Sequence, residues 1–228
     1  MQKTILLLWD IDGTLIASGN AGMHALQRAL RHTFAIDGSL ADIDFAGRTD
    51  TWIMRAILRK FALPTTDDNL GRLFASYLSE LPAALHNPRA RVLPGAREII
   101  AAAAGHGSIA QGLLTGNRRE GARAKLAHHG LWDHFPFGAF GDDGELRNDL
   151  GPHALRRARE THGVDFPPQR TWIIGDTPHD IACGRAIGAR TLAVATGGST
   201  LDQLRAHDPD AALENLSDTA RVLSLLTS

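Results

Sequence analysis

The sequence contains one cysteine, Cys183, among its 228 residues, so no intrachain disulfide can form. A lone thiol fits a reducing compartment. Cys183 lies in a stretch of small residues with no neighbour that would activate it, and we expect it to pack in the interior. The histidines and this cysteine show none of the spacings used by zinc sites. Disulfide scaffolds are therefore excluded and zinc modules are disfavoured.

Long apolar runs and an excess of one charge are also missing. The run Ile5–Trp9 ends at Asp10 after about five residues, whereas a signal peptide needs roughly 7–15 and a membrane span about 20. Lysine and arginine together number 24 against 25 aspartates and glutamates, which gives a formal net charge of −1. That balance provides no electrostatic attraction to nucleic acid or to an anionic membrane. We therefore expect a cytoplasmic protein that has neither as a partner.

Short apolar runs alternate with helical patterns along most of the chain. Each run ends in polar residues, which is typical of a strand buried on both faces of a parallel sheet. The predicted strands are 4–9, 109–114, 172–174 and 191–194, and the predicted helices are 96–104, 120–129, 152–161 and 181–187. Asp218 is a candidate N-cap for a last helix. The alternation predicts an α/β fold with a doubly wound, Rossmann-like parallel sheet.

Residues 17–90 interrupt this alternation. They contain three apolar stripes at helical spacing, with no convincing buried strand between them. The stripes are Met23/Leu26/Leu30/Phe34, Trp52/Ile53/Ala56/Ile57/Phe61 and Leu70/Phe74/Tyr77/Leu81. We predict an all-helical domain over 17–90, inserted into a core domain formed by 1–16 and 91–228.

Polar side chains follow three of the predicted strands at the point where each strand ends. Because ligands of open parallel sheets bind outside the carboxyl ends of the strands, we expect these residues to converge. They are Asp10, Asp12 and Gly13 after the first strand, Thr115, Gly116 and Asn117 after the second, and Asp176 and Asp180 after the third. Taken singly, each segment also reads as an ordinary turn or helix cap. Their conjunction indicates a functional site.

The residue types at this edge favour metal-assisted phosphoryl chemistry. Four carboxylates repel one another unless a cation is present, and hard oxygen ligands in this number favour Mg²⁺. The Asp10 carboxylate can attack phosphorus, and Asp12 can serve as general acid and then as general base. Negative charge nearby should help Asp12 to hold a proton. Thr115 and the backbone N–H groups after it can donate to phosphoryl oxygens.

Three segments of the chain resemble the motifs of the haloacid dehalogenase-like hydrolase superfamily. They are Asp10-Ile11-Asp12-Gly13-Thr14-Leu15, Leu114-Thr115-Gly116-Asn117 and Gly175-Asp176-Thr177-Pro178-His179-Asp180. The resemblance implies a cap domain at 17–90, Asp10 as nucleophile and Asp12 as acid and base. It also implies Mg²⁺ held by Asp10, the Asp12 carbonyl and Asp176, with Asp180 acting through water or orienting the metal's ligands. Gly13, Thr115, Gly116 and Asn117 would bind the phosphate.

The third motif of that superfamily, usually a lysine, has no direct counterpart here. The nearest cation before the helix at 152–161 is Arg147, which could offset the charge of the nucleophile and the phosphate. The alternative is that Arg147 lies on the surface and Lys125 reaches into the site. By its helical pattern, we expect Lys125 on the solvated face of its helix.

Gly47-Arg48-Thr49-Asp50 resembles a cap segment of phosphoglycolate phosphatase-like members of the superfamily. In that role Arg48 would clamp a carboxylate or a second anionic group of the substrate. The alternative is that Thr49 or Asp50 caps the following helix while Arg48 lies on the surface, and the two readings are compatible.

The leading functional hypothesis is Mg²⁺-dependent hydrolysis of a small phosphate ester similar to phosphoglycolate. Two alternatives stay open: a mutase that passes the phosphoryl group to a second hydroxyl, and a non-catalytic phosphate-binding or regulatory module. Dehalogenation is disfavoured because halide departure needs no proton donor, whereas Asp12 is present. The sequence leaves monomer and homodimer equally open.

Overall fold

The computed structural model describes residues 3–228 of the chain. The strands in that range are β1 (Ile5–Trp9), β2 (Ile16–Ala17), β3 (Arg91–Val92), β4 (Ile109–Leu114), β5 (Gly138–Ala139), β6 (Thr171–Gly175), β7 (Arg190–Val194) and β8 (Ala211–Leu213). The helices are α1 (Ala21–Phe34), α2 (Asp50–Lys60), α3 (Asp67–Leu85), α4 (Ala96–Gly105), α5 (Arg119–His128), α6 (Leu150–His162), α7 (Pro178–Ala186), α8 (Leu201–Arg205) and α9 (Thr219–Thr227). Of the helices in residues 3–228, none combines the length and the apolar character needed to cross a bilayer.

Six parallel strands form the central sheet in the order β5-β4-β1-β6-β7-β8. The order changes direction at β1, which lies between β4 and β6, so helices cover both faces of the sheet. The side chains of β1 show this directly, because Leu7 and Trp9 pack into one apolar cluster while Leu6 and Leu8 pack into another. The predicted α/β doubly wound fold is confirmed.

The strands next to β1 end level with it. Trp9 pairs with Leu113 on one side and with Ile174 on the other. Asp10 continues this register, since its backbone N–H donates to the carbonyl of Ile174 at 2.9 Å. The loops that follow β1, β4 and β6 therefore start at the same edge of the sheet, and this edge is where the acidic residues gather.

Helices α1, α2 and α3 share an apolar cluster of their own. It contains Leu30, Met54, Ile57, Leu73 and Tyr77, all less than about a tenth exposed. The chain enters and leaves this helical segment through the short antiparallel pair β2 and β3, in which Ile16 lies opposite Val92 and Ala17 opposite Arg91. The boundaries of the inserted domain, 17–90, stay a prediction.

Several elements differ from the sequence prediction. Strands β2, β3, β5 and β8 and helix α8 were not predicted, because strands of two or three residues are too short to show a periodicity. The predicted helix 181–187 begins earlier, at Pro178. Proline is favoured in the first turn of a helix, and the side chain of Asp180 accepts from the backbone N–H of Thr177. Asp218 caps α9 as expected.

The burial of β1 on both faces predicts a large cost for removing one of its side chains. Leu8 is fully buried, so Leu8→Ala should lower the free energy of unfolding by about 2–5 kcal/mol. Leu146, which is 56% exposed, is the matched control, and Leu146→Ala should change stability by less than about 0.5 kcal/mol. Denaturant unfolding of both variants measures the difference, and equal effects would contradict the assigned burial.

Candidate active site

Three aspartates meet at the carboxyl edge of the sheet. Asp10 follows β1, Asp176 follows β6, and Asp180 lies in the first turn of α7. One carboxylate oxygen from each lies within 4.8 Å of the others, and all three side chains are buried. The strand register and the start of α7 bring them together, as the convergence of the strand ends predicts.

Arg147 lies inside this cluster. A short 3₁₀ turn, Arg147–Asp149, precedes α6 and carries the side chain inward. Its Nη2 atom is 2.8 Å from Oδ1 of Asp10 and also contacts Asp180, and it donates to the carbonyl of Leu114 at 3.2 Å. The Arg147 side chain is 4% exposed, so the alternative that it lies on the surface is wrong.

The cluster perturbs the protonation of its members. Burial raises the pKa of Asp10 to about 6, because desolvation and the neighbouring Asp180 outweigh the attraction of Arg147. Burial, together with the charges of Asp10 and Asp180, also raises the pKa of Asp176 well above its ordinary value. The attraction of one guanidinium therefore does not fully offset the desolvation and mutual repulsion of three ionised carboxylates.

The residues present fit a divalent cation. When all three aspartates are ionised, they and Arg147 leave a net charge of −2. Asp180 is already engaged, since its Oδ2 atom accepts from the N–H of Thr177 at 3.0 Å and from the Thr177 hydroxyl at 2.7 Å, while its Oδ1 contacts Arg147. Asp10 and Asp176 are thus the side chains best suited to bind an ion directly, with Asp180 in an orienting position.

Two glycines leave the approach to Asp176 open. A Cβ atom at Gly13 would lie 2.3 Å from Oδ2 of Asp176, and one at Gly197 would lie 1.7 Å from the same oxygen. Gly13 also adopts a φ of 82°, a conformation that other residues rarely tolerate. Its backbone carbonyl accepts from the Thr196 hydroxyl at 2.6 Å. Its predicted contact with phosphate stays a prediction.

The loop after β4 lies beside the aspartates and against the helical segment. The hydroxyl oxygen of Thr115 accepts from the backbone N–H of Asn117 at 3.3 Å and from its side-chain amide at 2.9 Å. The carbonyl of Gly116 accepts from the N–H of Asp50 at 2.7 Å. A Cβ at Gly116 would lie 2.1 Å from the carbonyl oxygen of Arg48, so only glycine permits this approach.

Lys125 is buried, so the expectation that its side chain lies on the solvated face of its helix is wrong. Its side chain is 7% exposed, and its Nζ atom lies 2.6 Å from Oδ2 of Asp12 and 2.6 Å from Oδ1 of Asn117. The buried residues of α5 are Gly121, Ala122, Lys125 and Leu126. Their spacing places Lys125 on the inner face of the helix, and this signal was available in the sequence.

The protonation of Asp12 also differs from the expectation. Burial acts to raise the pKa of Asp12, but the Lys125 ammonium and the hydrogen bonds from Lys125 and Asn117 lower it below the ordinary value. We expected nearby negative charge to help Asp12 hold a proton. Lys125, which we expected on the solvated face of its helix, instead lowers the pKa of Asp12.

Arg48 lies at the wall of the cavity between the helical segment and the sheet. Its Nε atom is 3.2 Å from Oδ2 of Asp44, and its guanidinium stacks 4.5 Å from the centre of the Trp52 ring. Thr49 caps α2 by accepting from the N–H of Trp52 at 3.1 Å. The capping part of the alternative is therefore confirmed, whereas Arg48 lines the cavity, and its contact with a substrate stays a prediction.

The cavity itself is small. Its volume is about 360 Å³, and its lining combines the aspartate cluster with apolar side chains of the helical segment. Met23, Leu26, Phe45 and Ile53 form the apolar wall, and Tyr77 lies on the same side. The site can therefore hold a small molecule with its charged end on the sheet and the remainder against the helices.

Comparisons with known proteins give consistent matches. The family model described as haloacid dehalogenase-like hydrolase matches residues 7–185. The chain is 27% identical over 217 residues to "Probable phosphatase IndB" of Dickeya dadantii (strain 3937), covering 93% of this chain and 90% of the relative. It is 30% identical over 214 residues to "Phosphoglycolate phosphatase" of Rhodospirillum rubrum, covering 87% of this chain and 82% of the relative.

Solved structures match the fold. A hydrolase from Pseudomonas syringae superposes with a TM-score of 0.75 at 21% identity, covering 99% of this chain and 100% of the other. At this level of identity the likeness shows that the two chains share an architecture.

Protons should compete with a divalent cation at this cluster. Because the pKa of Asp10 is raised to about 6, the apparent Kd for Mg²⁺ should rise about tenfold between about pH 8 and about pH 5, and the raised pKa of Asp176 adds to this. Calorimetric titration of the protein with MgCl₂ measures the change. Asp176→Asn should abolish binding, whereas Asp202→Asn, whose side chain is 94% exposed, should leave it intact. Equal affinity at both pH values would exclude the cluster as the binding site.

Proposed function

The chain belongs to the haloacid dehalogenase-like hydrolase family, and on that premise we propose that it is a Mg²⁺-dependent phosphatase of small metabolites that forms an aspartyl-phosphate on Asp10. Phosphatase activity itself follows from the family and from its named relatives. The observation that carries the finer proposal is the setting of Asp10. It is buried at the end of the central strand, 2.8 Å from Arg147 and within 4.8 Å of two further carboxylates.

Asp10 is the group that forms the bond to phosphorus. One of its carboxylate oxygens attacks, the bond between phosphorus and the ester oxygen breaks, and the electron pair leaves on that oxygen, which takes a proton from Asp12. In the second step water attacks the phosphorus of the aspartyl-phosphate and gives its proton to Asp12. The Asp10 carboxylate is regenerated, and inorganic phosphate leaves.

Charge balance makes the attack of one anion on another feasible. When bound, Mg²⁺ polarises the phosphoryl group and neutralises the carboxylates around it. Burial disfavours a charged Arg147, but Asp10 and Asp180 raise the pKa of its guanidinium, which therefore stays cationic. Its Nε atom is buried and has no hydrogen-bond partner within residues 3–228, so the guanidinium is not fully satisfied by the protein.

Asp12 must carry a proton when the first step begins, because it donates that proton to the leaving group, and it must be ionised when the second step begins, because it then accepts a proton from water. A phosphoryl group that binds beside Asp12 raises the pKa of this carboxyl by like-charge repulsion, which supports the acid role. Once the proton has gone to the leaving group, Lys125, 2.6 Å away, stabilises the carboxylate that later activates water. The phosphoryl group thus raises the pKa of Asp12 and Lys125 lowers it, which suits a carboxyl that first donates a proton and then accepts one.

The cavity supports a small substrate with a second anionic group. Its volume of about 360 Å³ suits a metabolite and leaves no room for a folded phosphoprotein. Arg48 at its wall can exchange Asp44 for a substrate carboxylate, and the relative from Rhodospirillum rubrum bears the name phosphoglycolate phosphatase. Phosphoglycolate is therefore the first substrate to test.

The nucleophile is tested by Asp10→Asn. The purified protein should release phosphate from small phosphate esters only with Mg²⁺, and this variant should lower kcat by at least about a thousandfold because the attacking carboxylate is gone. Asp218→Asn, a helix cap outside the site, serves as the control and should retain activity. Activity that survives in Asp10→Asn would overturn the mechanism.

The same assays distinguish the two alternative functions. Isomerisation of a sugar phosphate without phosphate release would indicate a mutase. A stable phosphoprotein without turnover would indicate a regulatory module.

The role of Arg48 is tested by the substrate dependence of KM. Arg48→Gln should raise KM for phosphoglycolate by about tenfold or more, since a charge-assisted hydrogen bond to the carboxylate is lost. KM for glycerol phosphate, which lacks a carboxylate, should stay within about twofold. Arg72→Gln on α3 is the control, because Arg72 is half-exposed and outside the cavity lining. An equal change for both substrates would contradict carboxylate recognition.

A further inference from the structure

Asp12, Asn117 and Lys125 form a closed ring of hydrogen bonds. The Lys125 ammonium donates to Oδ2 of Asp12 and to Oδ1 of Asn117, both at 2.6 Å. The Asn117 amide donates to the same Asp12 oxygen at 2.8 Å. The three side chains come from the loop after β1, the loop after β4 and helix α5, so the ring joins three separate elements.

The ring fixes the orientation of the Asp12 carboxylate. Two donors from different directions hold one oxygen, and rotation of the carboxylate would break both bonds. Lys125 also fixes the Asn117 amide, because its ammonium binds the amide oxygen and thereby keeps the NH₂ group directed at Asp12 and at the Thr115 hydroxyl, 2.9 Å away. Removing Lys125 frees both partners at once.

The residues of the helical segment that surround Lys125 exclude solvent but do not form hydrogen bonds with its ammonium. Tyr77 and Asp50 of the helical segment approach it, and a Cβ at Gly22 would lie 3.8 Å from the Tyr77 hydroxyl and 3.9 Å from Nζ of Lys125. Across residues 3–228, the hydrogen bonds of the ammonium nevertheless go to Asp12 and Asn117, both in the core. A lysine that served to latch the helical segment would bind its residues instead.

A buried ammonium is costly, and the partner it has indicates its use. The free-energy cost of desolvating the ammonium is offset here by its attraction to Asp12. In the proposed mechanism Asp12 is the acid and the base. The salt bridges of Lys125 within residues 3–228 do not include Asp10, which pairs with Arg147. The two cations therefore serve two different carboxylates.

We propose that Lys125 is a positioning residue for Asp12, which it holds through direct contact and through Asn117 in the orientation that delivers a proton to the leaving group. The proposal rests on the proposed function, because it assumes that Asp12 is the acid and base of an Asp10-dependent phosphatase. Lys125 acts through Asp12 and does not contact the reacting atoms.

The test compares substrates whose leaving groups differ in their need for a proton. Lys125→Met should lower kcat/KM about a hundredfold for an alkyl phosphate such as glycerol phosphate, because an alkoxide needs a well-directed acid. It should lower kcat/KM for p-nitrophenyl phosphate by less than about fivefold, since p-nitrophenolate departs without one. kcat/KM reports the steps up to phosphoryl transfer, so the comparison isolates the step in which Asp12 donates.

Two controls separate positioning from general damage. Arg123→Met removes an exposed cation from the same helix and should leave both kcat/KM values unchanged. In an Asp12→Ala background, Lys125→Met should cause no further loss on glycerol phosphate, because its partner is already gone. If Lys125→Met does not fold, Lys125→Gln decides, since it keeps a donor of similar reach and should show the same pattern with a smaller loss.

Three outcomes would overturn the inference. They are an equal loss on both substrates, a further loss in the Asp12→Ala background, and full activity of Lys125→Met on glycerol phosphate. An equal loss with a raised KM would indicate that the ammonium binds phosphate directly. Failure of the proposed function gives a different result, because Asp10→Asn would then retain activity whatever Lys125 does.

Discussion

The repulsion among buried carboxylates at the end of the central strand is the constraint on which the site depends. The strand register places Asp10 and Asp176 side by side, and the capping geometry of α7 adds Asp180. Within residues 3–228, Arg147 is the cation that pairs with Asp10 and Asp180, and the negative charge that remains suits a divalent cation. The same imbalance that would destabilise an ordinary core makes this edge of the sheet attractive to a metal and to a phosphoryl group.

The two buried cations keep Asp10 and Asp12 in different electrostatic settings. Arg147 is shared between Asp10 and Asp180, and desolvation still leaves the pKa of Asp10 at about 6. Lys125 is directed at Asp12, whose pKa falls below its ordinary value. This order is the reverse of the one that an attacking carboxylate at Asp10 and an acid at Asp12 would need, and a cation bound at Asp10 and a phosphoryl group beside Asp12 would each shift it in the required direction.

Much of this arrangement could be predicted because its signals are local. A short apolar run followed by Asp10 identifies a buried strand and the residue at its end, and the convergence of such ends follows from the rules for parallel sheets. Arg147 was harder to place, since a three-residue turn has no periodicity that would show which way it faces. The spacing of Lys125 with Ala122 and Leu126 already indicated the inner face of α5, whereas the depth of its burial comes from the packing of α3 and α1 over that helix.

The antiparallel pair β2 and β3 has a consequence for how the helical segment is joined to the sheet domain. Ile16 and Val92 lie directly opposite each other, so the two points where the chain departs and returns are about 5 Å apart. The sheet domain is thus closed by the two residue pairs of this short ladder, whatever length of polypeptide lies beyond them. The entropic cost of closing a loop grows slowly with its length. A longer or shorter segment between β2 and β3 would therefore change the stability of the sheet domain only slightly. Recombination or engineering can therefore exchange the helical segment without changing the register of the sheet.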